Sequence, residues 1–180
     1  MPDLSHSAKV AELSAKIKPI RFGMFTYVNL HGQMTSKPMT TQDIDADGAL
    51  WFFTSTLSDM WENIGINQNV NVSFAEPEDS VYVSVSGIAE RIVERSKIES
   101  RWNPLVAAWF PDGVEDPHLV LVRVVPHVVE YWDSNSNQMV GLLKIAKAAL
   151  SGSALKAEPG EHGKIHLNQD EDEDSQIKRD

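Results

Sequence analysis

The residue types best placed to do chemistry lie at one junction, Leu50-Trp51-Phe52-Phe53-Thr54-Ser55-Thr56-Leu57-Ser58. An apolar run passes into hydroxyl residues and then into the helical spacing Leu57, Met60, Trp61, Ile64. The first N–H groups of a helix have no intrahelical partner. With nearby Ser and Thr hydroxyls they form an anion site suited to phosphate. Lys37 lies on the preceding strand, which a hairpin places alongside, and it would add a positive charge. The same Ser and Thr also read simply as helix N-caps, so two readings stand at this point.

Other constellations are weaker. Asp43-x-Asp45-x-Asp47-Gly48 opens like a calcium loop, but its twelfth position is Thr54 rather than a bidentate Glu. A tight acidic hairpin turn with Gly48 at positive φ is expected instead. The six histidines are His6, His31, His118, His127, His162 and His166. His162 and His166 have the i, i+4 spacing of a metal pair but sit in a polar tail, so no metal is expected. His127 near Glu130 is half of an acid–base pair or an ordinary surface residue. There is no Cys, which excludes thiol catalysis, disulfides and iron–sulfur clusters. G-x-S-x-G, P-loop and G-x-G-x-x-G motifs are also missing. No catalytic residue is assigned.

The chain has 180 residues, with 16 Lys and Arg against 26 Asp and Glu, a net charge of −10. That argues against sequence-independent nucleic-acid binding and against docking on an anionic membrane. No apolar run approaches a bilayer span, and the first residues show no signal-peptide pattern, so a cytoplasmic protein is expected.

The scaffold follows from periodicity. Val10, Leu13 and Ile17 predict a helix over 6–18, ended by Pro19. Strands are expected at Phe22–Leu30, Met34–Thr40, Leu50–Thr54, Val70–Ala75, Val81–Ala89, Leu119–Val125 and Val128–Trp132. Short helices are expected over 57–66, over 98–110 with a fresh start at Asn103-Pro104, and from Met139 to Leu150. Seven short strands with hairpin-length links suggest an antiparallel barrel or sandwich. The folded domain spans 5–152. Residues 153–180 are expected to be a disordered acidic tail, because Glu158–Asp180 has eight acids, three bases and few large apolar groups. Seven strands and five tryptophans are a large apolar load for one small barrel, which favours a two-fold homodimer.

Five motifs in order carry a family resemblance: Ser36-Lys37-Pro38-Met39; Leu50 to Ser55; Val81 to Ala89; Trp109-Phe110-Pro111-Asp112-Gly113 with Asp116-Pro117; and Glu130-Tyr131-Trp132-Asp133. Over about residues 5–150 the chain resembles the general stress protein branch of the pyridoxamine 5′-phosphate oxidase-like family. The resemblance implies a mainly β (α+β) fold, an antiparallel six- to seven-stranded split β-barrel with flanking short helices. It implies FMN, with FAD or riboflavin as alternatives, bound at a homodimer interface. Implied cofactor contacts fall on Lys37, Pro38 and Met39; on Phe53, Thr54 and Ser55; on Ser58 and Met60; and on Trp109 and Trp132. Met60 stands where the family usually has a phosphate-binding Lys, and it also fits the apolar stripe of helix 57–66. Trp109 and Trp132 line the flavin edge or plug the barrel. The implied function is a flavin-dependent oxidoreductase. The alternative is a non-catalytic flavin-binding or stress-sensing module.

Overall fold

The computed structural model describes residues 6–20, 22–133 and 161–166. The expected helix from Met139 to Leu150 lies outside them. In chain order the elements are α1 (His6–Ile17), β1 (Phe22–Val28), β2 (Met34–Thr40), β3 (Asp43–Ile44), β4 (Leu50–Ser55), α2 (Asp59–Ile64), β5 (Asn69–Glu76), β6 (Val81–Ile92), α3 (Arg95–Arg101), α4 (Pro104–Ala107), β7 (Leu119–Asp133) and β8 (Glu161–His166). Asn103 caps α4 as expected, its side-chain oxygen accepting from the N–H groups of Leu105 and Val106.

The strands form one antiparallel sheet ordered β2-β1-β5-β6-β7-β4-β3, with β8 also on β7. The sheet curls until β2 and β4 approach each other, but no ladder joins them, so the barrel is split there. Alternation sets the inner face. Phe25, Tyr27, Val70, Val72, Phe74, Val83 and Val85 point inward, and the Val10, Leu13 and Ile17 stripe of α1 joins them in one core. β4 is buried on both faces, as its unbroken apolar run requires. Leu50 and Phe52 enter the barrel core. Trp51 and Phe53 enter a second core beneath α3 and α4, with Ile98, Val106, Leu119 and Leu121.

The outer face has a different character. Over β2, β1, β5 and the first half of β6 it presents Ser36, Thr26, Asn71, Ser73, Ser84 and Ser86, cross-linked by side-chain hydrogen bonds, and no charged side chain. Phe22, Met24, Tyr82 and Trp132 lie exposed on this side.

Two expectations need correction. The strands placed on either side of Pro126 are one continuous β7. A register shift opposite Ser86 and Gly87 leaves His127 unpaired, and this bulge takes up the proline's missing donor. Gly87 makes the shift possible, because a Cβ there would stand 2.2 Å from the Val125 carbonyl oxygen. Gly87→Ala is therefore expected to cost about 1–3 kcal/mol, read as a lower denaturation midpoint at unchanged slope.

The second correction concerns the tail. Six of its residues, Glu161–His166, pair with Val128–Asp133. β4 covers the β7 edge only as far as Val124, so the backbone groups beyond it are open to pairing. Ladder hydrogen bonds do not depend on side-chain polarity, which is why composition alone misses this strand. Lys164 adds an ion pair to Glu130 at 3.4 Å.

Candidate functional site at the barrel seam

The hydroxyl-rich junction sits where the barrel is split. β4 ends at Ser55 and α2 begins after Ser58, while β2 brings Lys37 alongside from the other edge. Ser58 is the N-cap, its Oγ accepting from the N–H of Trp61 at 3.2 Å. The same hydroxyl donates to the Ser55 carbonyl at 2.8 Å. A hydroxyl has one proton, so the 3.1 Å bond between Thr54 and Ser58 must be donated by Thr54. Ser55 Oγ accepts from the N–H of Leu57 at 3.2 Å. Thr56 pairs with the His118 ring at 2.9 Å.

Lys37 is ion-paired with Asp59, the first residue of α2. Tyr27 of β1, itself 1% exposed, donates its hydroxyl to the other oxygen of Asp59 at 3.1 Å. These three groups explain their own titration. The Lys37 hydrogen bond is the largest influence on the Asp59 carboxyl; desolvation opposes it, and the Tyr27 bond and the Lys37 charge add to it, so the carboxyl stays below its usual range. Burial works against the Lys37 charge, yet the bond to Asp59 and the nearby Tyr27 raise its pKa overall. Tyr27 is pushed up by burial and then by its bond to Asp59.

Met60 is 1% exposed and packs in the barrel core. Phe53 points to the opposite face of β4 from Thr54 and packs edge-on against Trp102, ring centres 6.0 Å apart. Met39 packs on the barrel core, while Pro38 lies on the outer face opposite Met24. Trp109 is 75% exposed just after α4, and Trp132 lies opposite Tyr82 on the outer face, so neither plugs the barrel. Sequence reasoning missed Tyr27 and Asp59. Asp59 carried a readable signal, an acid directly after an N-capping Ser, where the helix dipole favours it. Tyr27 carried none beyond strand alternation.

The acidic motif is the hairpin turn expected. Gly48 has φ 82°, and Asp45 accepts from the N–H groups of Asp47 and Ala49. The remaining carboxylate capacity serves the protein itself. Asp45 accepts from Trp51 Nε1 at 2.9 Å and from Arg123 at 3.3 Å. Arg123 also reaches Glu90 and Asp47, and Arg101, paired with Asp43, lies over the Trp51 ring. Burial works against the Asp45 charge, but the bonds from Trp51, Ala49 and Arg123 win and lower its pKa. A folded value below the unfolded one means this stability is full above about pH 4 and drains away as pH falls through the folded value. Asp45→Asn is expected to cost about 1–3 kcal/mol at neutral pH and to flatten the acid limb of a stability–pH curve.

Among the described residues, no group of three or more His, Asp or Glu is placed to hold a metal. None of their helices is long and apolar enough to cross a membrane. Two cavities lie away from the seam: one of about 270 Å³ between α1, the β2–β3 link and Leu105, and one of about 380 Å³ between α1 and the β5–β6 hairpin. At the seam itself the Lys37 and Asp59 side chains are 37% and 62% exposed.

A barrel split beside a basic strand and a hydroxyl-capped helix defines an antiparallel split β-barrel protein, and comparison with known proteins gives its family. The profile described as pyridoxamine 5′-phosphate oxidase like matches residues 8–156, and the chain belongs to that family. It is 27% identical over 154 residues to protein bli-3 of Neurospora crassa, covering 80% of this chain and 74% of that one. A crystal structure of a general stress FMN/FAD binding protein from Xanthomonas citri is 27% identical, with TM-score 0.60 over 69% of this chain and 87% of that one. A general stress protein 26 candidate from Jannaschia sp. CCS1 is 25% identical, with TM-score 0.66 over 87% and 96% of the two chains.

Proposed function

We propose that this protein is a cytoplasmic, homodimeric flavin-binding protein of the general stress type, with the flavin held at the β2–β4 seam. The observation that carries this is the likeness, at 27% identity, to the Xanthomonas citri general stress FMN/FAD binding protein. The seam supports it with β2 backbone, Lys37 and the Thr54–Ser58 turn on an open surface that a second subunit would close. The uncharged outer stretch over β2, β1, β5 and the first half of β6, with exposed Phe22, Met24 and Tyr82 and with Trp132 at its border, supports a self-complementary interface, since interface centres are poor in charge and rich in aromatics. The net charge of −10 fits a protein that leaves nucleic acid alone.

A bound flavin would supply hydride and electron transfer, and the chain would supply binding and electrostatics. On that basis the activity is that of an oxidoreductase. A second reading, a non-catalytic flavin carrier or stress sensor, is favoured by one feature: Tyr27, Lys37 and Asp59 are all engaged with one another. Titration with riboflavin, FMN and FAD, followed by flavin fluorescence and melting temperature, tests the binding. A ligand at 100-fold its Kd should add about 2.7 kcal/mol of stability. Absence of binding by all three flavins ends the flavin reading. Reduction of bound flavin by NAD(P)H with turnover of an acceptor separates enzyme from module.

A further inference from the structure

We propose that the Asp59 carboxylate is a built-in occupant of the anion site, so that the seam selects a flavin by its ring and ribityl chain and gains nothing from a terminal phosphate. This rests on the flavin reading above and departs from the phosphate-tuned site that the family resemblance implied.

An incoming phosphate needs cations and unspent protons. Lys37 is the only basic residue among the candidate site residues, and Asp59 already neutralises it. The Tyr27 hydroxyl proton goes to the same carboxylate. The N–H of Trp61 goes to Ser58. The protons of Thr54 and Ser58 are spent within the turn. Only the Ser55 hydroxyl among these groups has its proton left over, because there it acts as acceptor. Asp59 therefore collects a lysine and a phenol, donors that would suit a phosphate oxygen equally well. Glu62, three residues on in the same first turn of α2, adds further negative charge. If Lys37 swings toward a ligand, Asp59 remains one residue from the Ser58 cap, and the summed charge of the pair is still zero. A phosphate dianion would have to expel or protonate Asp59, whereas riboflavin meets no such opposition.

The test uses the full chain and two variants, Asp59→Asn and Asp59→Asn with Lys37→Gln. Asn keeps the size and can still accept from Tyr27. FMN and riboflavin are titrated into each protein. Separately, melting curves are taken with millimolar inorganic phosphate against chloride at equal ionic strength. In the unaltered protein, FMN and riboflavin should bind within about threefold of each other, and phosphate should not raise the melting temperature. Asp59→Asn should tighten FMN by about tenfold or more, leave riboflavin within about twofold, and create a stabilising response to phosphate. Adding Lys37→Gln should abolish both gains. FMN preferred about tenfold or more by the unaltered protein, with no change in Asp59→Asn, overturns the proposal. If no flavin binds any variant yet phosphate stabilises only Asp59→Asn, the flavin reading falls while the role of Asp59 as resident anion stands. No flavin binding together with no phosphate response overturns both.

Discussion

Met60→Lys lowers the melting temperature by about 10 °C and does not tighten FMN. Met60 is 1% exposed on α2, in the same core as Phe25, Tyr27 and Ile64. An ammonium placed there must shed its charge, drag its stem toward water or open the core around it. A cost of about 3 kcal/mol or more is expected for an unpaired charge in such a place. For a domain of this size each kcal/mol moves the melting point by about 2–4 °C. Met60→Leu, which keeps the volume, should cost less than about 1.5 kcal/mol. Circular dichroism melts of the three proteins, with FMN titrations on each, decide the matter. A Met60→Lys protein that melts normally and binds FMN more tightly would place this side chain at the ligand after all.

Tyr82→Arg converts a dimer into a monomer without unfolding the chain. Tyr82 is 43% exposed on β6, paired across the sheet with Ala75 and Trp132, beside the uncharged Ser and Asn ladder. A stable interface hides roughly 1,600 Å² in all, and a two-fold axis presents the same face twice. One substitution therefore buries two unpaired guanidinium groups, at a cost of several kcal/mol in association. The isolated barrel should hardly notice, because the side chain points outward. Light scattering at micromolar concentration should report twice the chain mass for the unaltered protein and a single chain mass for the variant. Melting curves at high dilution, where both are monomers, should coincide. A monomeric unaltered protein removes the dimer from the proposed function. A variant that stays dimeric moves the interface off this face.

Met60 shows what periodicity and motif correspondence each convey. Its i, i+3, i+4 company of Leu57, Trp61 and Ile64 marked an apolar stripe, and Met60, Trp61 and Ile64 are buried. Motif correspondence set it at the family's phosphate position, but a residue's place in a motif does not say which way its side chain faces. Phe53 and Thr54 repeat the lesson. They are adjacent in a motif, so strand alternation sends them to opposite sides of β4, one under α3 and α4 and one into the barrel. The strand series, the α1 stripe, the Asn103-Pro104 helix start and the Gly48 turn were all legible, because each depends on neighbours within a few residues.

What the sequence determined by itself is the local grammar and, through it, the fold: antiparallel strands of known face, short capped helices, and a family whose motifs recur in order. The tertiary structure alone decided who meets whom. Lys37 and Tyr27 reach Asp59 across 22 and 32 residues, Arg123 reaches Asp45 across 78, and Glu161–His166 pairs with the open edge of β7. Periodicity and turn chemistry arise from the backbone geometry of adjacent residues and leave a regular pattern. The pairing of a charge with a distant carboxylate depends on the curl and register of the whole sheet. Any of several acids could have taken the Lys37 ammonium, and only the folded barrel, by setting the start of α2 against β2, made it Asp59.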